Sequence, residues 1–214
     1  WFVVGVSLSF GDSIGGIIGD PRTFFMFDNV GTSAHPEVAT SIPFVLFAAF
    51  QLKFTIITPA LITGAFAERV KFWGYILFIV LFCLFIYTPF AGGTVVHISA
   101  GMAALAGAMF FGRRKVHIQR EKETPVNIPY VLLGTGLLWF GWFGFNAGSA
   151  LAADSLAVSA FVNTNLASAA AMLAWLVFDS AQGRKPSALG GCIGAVVGLV
   201  AITPAAGFVS FGAS

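Results

Sequence analysis

Long runs without a charged side chain are the feature that most constrains what this chain can fold into. Five such runs are present, one of them interrupted only by Lys53, at residues 39–67, 72–112, 124–153, 155–178 and 186–214. A helix that crosses the hydrocarbon core of a bilayer needs about 20 apolar residues. Each run is therefore long enough for at least one transmembrane helix.

The fold class predicted from these runs is all-α, a polytopic membrane helix bundle. Charged residues make up only 9% of the chain, against roughly 25% in soluble domains, which argues against a soluble globular protein. The longest run is broken near Pro89 and Gly92, so it holds two helices. The predicted spans, taken as one transmembrane domain over residues 1–214, are 41–67, 71–88, 92–112, 127–146, 155–180 and 187–208.

Basic residues fall in alternate loops, which predicts the orientation in the membrane. The loops near residues 68–71, 113–123 and 182–186 carry most of the Lys and Arg residues, and the other loops are acidic, with only Arg22 opposing. Cytoplasmic loops are enriched in Lys and Arg. We therefore expect an integral protein of the cell membrane with these three loops in the cytoplasm. A nucleic-acid site in the basic 113–122 segment is the less favoured interpretation.

The two ends of the chain and its cysteines limit the interpretation further. The chain begins at Trp1 and ends at Ser214 inside apolar sequence, so we expect it to be a fragment of a longer membrane protein. Cys83 and Cys192 both lie in apolar runs, which favours neither a disulfide scaffold nor a cysteine metal site. No cofactor or metal site is predicted, and no catalytic constellation of an enzyme is apparent.

A four-residue segment occurs twice. Ile57-Thr58-Pro59-Ala60 recurs as Ile202-Thr203-Pro204-Ala205, five predicted spans later. An odd number of spans between the copies gives them opposite orientations. Repeats of inverted topology place a transporter's substrate site at their interface. Four matching residues in an apolar sequence also arise by chance, so the repeat alone leaves both explanations open.

His97 is the outstanding candidate for chemistry. It lies in an otherwise uncharged predicted span, and an ionisable residue inside a membrane is a functional hypothesis by default. A neutral imidazole offers one donor and one acceptor nitrogen, which suits the relay of a small polar molecule or a proton. Its helix face continues through Gly101, Ala104 and Ala108, which fits either a narrow pore or a close helix contact. The alternative is a histidine that hydrogen-bonds to a neighbouring helix.

Aromatic residues form a second candidate site. Trp142, Phe145 and Ser149 share one helix face near the outer end of a span, and Phe50 and Phe54 form a comparable face on the first full span. Ring faces attract small cations and a hydroxyl accepts a hydrogen bond, so these faces could recognise a cation. Interfacial anchoring and ordinary packing are the alternatives. A further face of Gly190, Gly194 and Gly198 predicts a close helix contact.

Several motifs taken together are specific, and the chain resembles the ammonium transporter family (Amt/Mep/Rh), closest to its Amt branch. The matching segments occur in family order over most of the chain. They are Thr58-Pro-Ala-Leu-Ile-Thr-Gly-Ala-Phe-Ala-Glu-Arg69, Phe90-Ala-Gly-Gly-Thr-Val-Val-His97, Gly141-Trp-Phe-Gly-Phe-Asn-Ala-Gly-Ser149, Phe161-Val-Asn-Thr164 and Gly183-Arg-Lys-Pro-Ser187.

The resemblance implies an eleven-helix fold with an inverted five-plus-five repeat, assembled as a homotrimer with one pore per subunit. This chain then holds the end of helix 2 through helix 8. Phe54 and Phe145 match the stacked phenylalanines of the outer gate, and Ser149 matches the hydroxyl that recruits ammonium, with Phe50 and Trp142 as supporting aromatics. His97 matches the first of two pore histidines. The expected activity is recruitment of ammonium, its deprotonation, and conduction of ammonia through an apolar pore.

Two departures from the family pattern are expected to affect activity. Pro89 stands where the family has an aspartate, and the long outer loop between helices 4 and 5 has no counterpart between Pro89 and Phe90. Lys53 adjoins Phe54 and would repel ammonium if it faced the pore. Two alternatives to transport remain open: an ammonium sensor that signals through a C-terminal domain, and a non-functional fragment. A cytoplasmic regulator of the PII type is implied by the resemblance only.

Overall fold

The computed structural model describes residues 1–90, 93–119 and 127–214, and it confirms the predicted all-α class. The chain divides into two compact units, residues 1–121 and 122–214. Within the described residues the α-helices are α1 (Gly5–Phe10), α2 (Phe44–Phe66), α3 (Phe72–Phe82), α4 (Gly93–Phe111), α5 (Lys115–Ile118), α6 (Ile128–Asn146), α7 (Ser155–Ala181) and α8 (Ala188–Ile202). Arg120 and Lys122 of the predicted cytoplasmic loop, and residue 92, where the third predicted span begins, lie outside these residues.

Short strands occupy the segment between α1 and α2. Strand β1 (Ser13–Ile14) pairs antiparallel with β2 (Ile18–Gly19), and β3 (Ala34–His35) pairs antiparallel with β4 (Ala39–Pro43). The His35 Nδ1 atom accepts hydrogen bonds from the backbone N–H groups of Glu37 and Val38, at 3.3 and 3.2 Å. Because Nδ1 accepts, the imidazole carries its proton on Nε2. The sequence analysis, which rested on the pattern of membrane helices, did not predict these two short hairpins.

The apolar helices differ in length, and some of them are long enough to cross a membrane without a helical extension. Among the described residues, three helical segments are long and apolar enough to cross a membrane: Phe44–Phe66, Ile128–Ala150 and Ser155–Ala181. Helix α3 has 11 residues and continues into five residues of π-helix, Cys83–Tyr87. Helix α8 has 15 residues, about 22 Å at 1.5 Å per residue. It ends at Ile202, six residues before the end of the span predicted at 187–208.

Pro204 accounts for the early end of α8. Thr203 still has helical dihedral angles, but the residues that follow form a series of turns. Proline has no N–H to donate and its ring crowds the preceding turn. The first copy of the repeated segment behaves differently, because Pro59 lies inside α2, which continues to Phe66. Both copies share one detail: the threonine hydroxyl donates to the carbonyl four residues earlier, Thr58 to Phe54 at 2.6 Å and Thr203 to Leu199 at 2.7 Å.

In the first unit, α4 packs on α2 through small side chains. Val96, Ala100 and Gly107 are buried on the face of α4 that meets α2. A Cβ atom on Gly107 would lie 2.9 Å from the Phe66 ring. Small residues let membrane helices approach closely. On the helix face that contains His97, Gly101 and Ala108 are exposed. The close helix contact that the sequence allowed for this face is therefore made by the adjacent face of α4, which contains Val96, Ala100 and Gly107.

Two arginines in the first unit cap the ends of these two helices reciprocally. The Arg69 guanidinium, beyond the end of α2, donates to the Gly112 carbonyl at the end of α4. The Arg114 guanidinium, beyond the end of α4, donates to the Gly64 carbonyl of α2 at 2.6 Å. The last carbonyls of a helix lack intrahelical donors, and basic side chains there also interact favourably with the helix dipole. These loop arginines therefore have a structural role, separate from the topological signal predicted from the charge pattern.

In the second unit, each long helix begins at a polar N-cap. The side chains of Asn127, Asp154 and Ser187 accept hydrogen bonds from the backbone N–H groups of Tyr130, Ala157 and Gly190. Such caps satisfy N–H groups that the first turn leaves unbonded. The glycine face predicted on α8 packs closely on α7 at Gly194 and Gly198. The contact is less close at Gly190, where the atoms nearest to an added Cβ belong to side chains at 3.1–3.3 Å.

Candidate functional site

Phe50 and Phe54 form an aromatic pair on α2. Their ring centroids are 4.9 Å apart with the rings nearly perpendicular, at 76°. Phe54 is buried and Phe50 is half-buried, whereas Lys53 is exposed. Successive residues of a helix point about 100° apart. The structure thus separates the exposed Lys53 side chain from the buried Phe54 ring.

His97 lies near the start of α4 and is half-buried. Its neighbours Val96 and Ala100 are buried in the packing of α4 on α2. Ser99, two residues further along, donates its hydroxyl to the Val96 carbonyl at 3.2 Å. His97 is therefore next to the helix contact without belonging to its central stripe.

The Trp142 and Phe145 rings stack at the end of α6. Their centroids are 5.1 Å apart and their planes are inclined by 25°. Trp142 is 1% exposed and Phe145 9% exposed. The indole Nε1–H of Trp142 donates to Thr203 Oγ1 at 2.8 Å. The structure brings together Trp142 and Phe145 as the sequence pattern predicts, and it adds Thr203, which the sequence analysis noted only as part of the repeated segment.

Ser149 lies one turn beyond this ring stack, in a 3-10 turn formed by Ala147–Ala150 that extends α6. It is exposed, and its hydroxyl donates to the Phe145 carbonyl at 2.6 Å. A serine hydroxyl has one hydrogen and two lone pairs. Because the hydrogen is directed at the Phe145 carbonyl, the Ser149 oxygen presents lone pairs outward and can accept a hydrogen bond from a ligand.

Buried polar side chains in the second unit are a feature to which the sequence analysis gave no role. The Asn146 amide donates to Thr164 Oγ1 at 2.9 Å, and the Thr164 hydroxyl donates to the Ala160 carbonyl at 2.6 Å. The Asn163 amide donates to the carbonyls of Ala206 and Val209, at 2.8 and 2.9 Å. It thereby fixes the turns that follow α8. Two signals were present in the sequence. Asparagines stand in otherwise apolar runs, and Asn146, Asn163 and Thr164 lie within the segments that carry the family resemblance.

The segment Gly183–Ser187 connects α7 to α8 and has a structural explanation. Gly183 has a φ of +70°, and the Arg184 N–H donates to the Asp179 carbonyl, which closes the last turn of α7. Ser187 then caps α8. Glycine adopts positive φ without a Cβ penalty and commonly ends helices this way. The polar and glycine residues of this motif therefore shape a helix connection.

The segment between α1 and α2, which carries the short strands, is acidic, and an ion pair between Asp20 and Arg22 neutralises part of its negative charge. Arg22 donates to both carboxylate oxygens of Asp20, at 3.0 Å from Nε and 2.6 Å from Nη2. The guanidinium lowers the pKa of Asp20 to about 2. Asp12, Asp28 and Glu37 supply further carboxylates on the same segment. No group of three His, Cys, Asp or Glu residues that could hold a metal occurs among the residues that the structure describes.

Comparison with protein families gives one match over the whole chain. The model of the Ammonium Transporter Family matches residues 1–90 and 88–214. The two matched segments meet at residues 88–90, where the sequence analysis expected the missing outer loop.

Curated relatives are similar over the full chain but are longer. A putative ammonium transporter of Methanothermobacter thermautotrophicus is 47% identical over 232 aligned residues, covering 100% of this chain and 56% of the relative. An ammonium transporter of Aquifex aeolicus is 45% identical, covering 98% of this chain and 52% of the relative. The chain thus spans about half the length of the curated relatives it matches, and these relatives are named as transporters, not as enzymes.

A solved structure has the same fold. The crystal structure of Saccharomyces cerevisiae Mep2 matches with a TM-score of 0.87 and 36% sequence identity, covering 100% of this chain and 53% of that one. Candida albicans Mep2 matches with a TM-score of 0.85 at 33% identity.

Proposed function

Because this chain belongs to the ammonium transporter family, we propose that the native protein that contains it carries ammonium nitrogen across a membrane. The observation that supports this most directly is the arrangement at the end of α6. There the stacked rings of Trp142 and Phe145 lie next to the exposed Ser149 oxygen, whose hydrogen is already directed at the Phe145 carbonyl.

This arrangement has the chemistry needed to recognise ammonium. The ion is a small cation with only N–H donors, so it binds acceptor oxygens and the negative faces of aromatic rings. In the proposed mode Ser149 accepts one N–H bond and the Phe145 ring stabilises the charge. Phe54, in the first unit, is the second gate phenylalanine that the family resemblance assigns. Phe50 and Trp142 support these rings through the contacts described above.

Passage requires loss of the charge. Moving an ion from water into an apolar pore costs many kcal/mol, whereas a small neutral molecule loses far less hydration energy. We propose that bound ammonium gives one proton to a water molecule: an N–H bond breaks with its electron pair kept on nitrogen, an O–H bond forms on the water, and ammonia moves on while the proton travels separately. In this proposal His97 lines the path of ammonia and takes part in relaying the proton. Potassium has no proton to lose and is excluded by the same logic.

Localisation and assembly are proposed on the same basis. The apolar helices and the family membership indicate an integral membrane protein. Placement in the cell membrane with the basic loops in the cytoplasm, a homotrimeric assembly and regulation by a PII-type protein are carried over as proposals from charge pattern and resemblance. Native mass spectrometry of the extracted protein tests the trimer directly.

Replacing Ser149 with alanine tests the proposed recruitment site. We expect the ammonium concentration for half-maximal flux to rise about ten- to a hundredfold, because a hydrogen bond to a charged group contributes about 1.5–3 kcal/mol. The measurement is ammonium-dependent flux into liposomes that contain the native polypeptide. Ser180→Ala is the matched control, since its hydroxyl likewise donates to the carbonyl four residues earlier, at 2.9 Å, but lies at the other end of its unit's helices.

The same assay tests the proposed function as a whole. Flux that saturates with ammonium, is absent from empty liposomes and is not supported by potassium is the expected result. Absence of flux from well-folded native protein would contradict transport, and an unchanged ammonium dependence in Ser149→Ala would contradict the recruitment role alone.

Replacing Phe145 with alanine is expected to weaken the outer gate. The Phe145 ring is buried against Trp142, so its removal opens space at the proposed entrance. We expect changed conduction and poorer exclusion of other cations such as methylammonium and potassium. Phe143→Ala is the control, because that ring stacks on Phe161 with centroids 4.3 Å apart. If both variants conduct and select like the wild type, Phe145 serves packing only.

A further inference from the structure

We propose that Thr203 is a positioning residue that fixes the Trp142 indole, and through it the Phe145 ring, in the orientation used by the gate. The inference rests on the proposed function, since it assigns Thr203 a role at that same gate. The residues involved all belong to the second unit, residues 122–214.

The hydrogen-bond directions at Thr203 are determined by its chemistry. Its hydroxyl has one hydrogen, which it donates to the Leu199 carbonyl at 2.7 Å. Toward Trp142 it can then only accept, and the indole Nε1–H, which is only a donor, reaches Thr203 Oγ1 at 2.8 Å. The backbone bond thus orients the Thr203 oxygen, and that oxygen orients the indole.

The position of Thr203 is itself held from two sides. It is the residue that follows α8, and Pro204 directs the chain out of the helix immediately afterwards. The turns beyond it are tied to α7 by Asn163, whose amide donates to the carbonyls of Ala206 and Val209. The hydroxyl is therefore attached to a backbone with little freedom to move.

Trp142 passes this restraint on to Phe145. The indole is 1% exposed, and its ring stacks on Phe145 at 5.1 Å with an angle of 25°. A buried indole N–H normally has a hydrogen-bond partner, and leaving it unsatisfied is unfavourable. Without the Thr203 oxygen the indole would turn toward another acceptor, and the Phe145 ring would lose the flat surface that fixes its orientation.

The experiment compares Thr203→Val, which keeps the branched shape but removes the hydroxyl, with Thr203→Ser, which keeps the hydroxyl. Thr135→Val is the control, because Thr135 on α6 makes the same type of bond to the carbonyl four residues earlier, Val131, at 2.9 Å. Two readouts are needed in the native polypeptide. One is the ultraviolet resonance Raman band of the hydrogen-bonded indole, assigned with Trp142→Phe, and the other is ammonium flux with exclusion of potassium and methylammonium.

We expect Thr203→Val to lose the hydrogen-bonded indole signal and to change flux or cation exclusion by about two- to tenfold, the range that corresponds to one ordinary hydrogen bond. Thr203→Ser should restore both readouts, and Thr135→Val should match the wild type. If Thr203→Val does not fold, Thr203→Ala takes its place in the comparison.

Three results would overturn the positioning role. They are an unchanged indole signal in Thr203→Val, a lost signal with unchanged flux and exclusion, and failure of Thr203→Ser to restore either readout. Failure of the proposed function looks different. The wild type would then carry no ammonium, while the Raman comparison would still report whether Thr203 orients Trp142.

Discussion

Replacing His97 with alanine should reduce ammonium-dependent flux at least tenfold while leaving the fold intact. A tenfold change in rate corresponds to about 1.4 kcal/mol in the barrier, which is close to the contribution of one hydrogen bond to a molecule that has lost its water. The imidazole can both donate to and accept from ammonia. The alanine side chain can do neither.

The structure predicts that this variant folds, because the packing of α4 on α2 uses other residues. Val96, Ala100 and Gly107 are buried in that contact, and His97 lies beside their stripe and is half-buried. Thermal unfolding of His97→Ala should therefore stay close to the wild type. Ser99→Ala on the same helix is the control for flux, since its hydroxyl bonds only locally to the Val96 carbonyl among the contacts described above.

A second substitution separates the two roles proposed for His97. Asparagine keeps a donor and an acceptor but does not titrate. If His97→Asn restores flux, a hydrogen-bonding partner is what the path requires; if it does not, the proton relay is the more important role. Wild-type flux and selectivity in His97→Ala would show that the residue is not on the path.

Replacing Gly198 with alanine should destabilise the second unit by an amount near the upper end of the 1–3 kcal/mol typical of overpacking. An added Cβ would lie 2.5 Å from the Ala167 carbonyl oxygen and 2.8 Å from Ser168 Cα. Both are backbone atoms of α7, so no side-chain rotation can relieve the overlap. Helix α8 would have to move away from α7, and the Ser168 hydroxyl would lose its 3.0 Å bond to the Ala195 carbonyl.

Gly136→Ala is the matched control with the opposite expected sign. Nothing lies within 4 Å of a Cβ placed on Gly136, and alanine is favoured over glycine inside a helix by about 1 kcal/mol. Thermal unfolding can be followed with a thiol-reactive dye in a Cys83→Ala background, where the buried Cys192 on α8 reports opening of this unit. Equal midpoints for Gly198→Ala and wild type would contradict the close packing.

The helix positions could be predicted from the sequence because long uncharged runs allow few other structures. At their described ends the observed α-helices lie within three residues of the predicted spans, apart from the ends of α3 and α8. Helix α3 ends at Phe82, and five residues of π-helix continue it to Tyr87, one residue before the predicted end. The predicted end of α8 lay six residues too far along the chain because the apolar run continues past Pro204. Hydropathy does not depend on the backbone N–H that proline lacks. That these helices cross the membrane in the predicted orientation stays a prediction from charge and length.

The candidate site was predictable only where spacing along one helix decides proximity. Trp142 and Phe145 are three residues apart, so their contact follows from helix geometry. Thr203 is 61 residues from Trp142, and Asn163 is 43 residues from Ala206. No local pattern indicates such pairs. The apolar repeat drew attention to Thr203 for its symmetry, while the structure shows it as a hydrogen-bond acceptor.

The sequence by itself determined the composition of the spans, the charge of the loops and the family motifs, since these depend on residue type and order. Only the tertiary structure decided which face of α4 packs and which helix the packed faces meet. These helices are apolar on all sides, so hydrophobicity distinguishes no buried face. The glycine spacing of α8 indicated its packed face but not that α7 is the helix it contacts. The choice of Val96, Ala100 and Gly107 over the His97 face depends on shape and backbone approach. Those properties arise only when two helices meet.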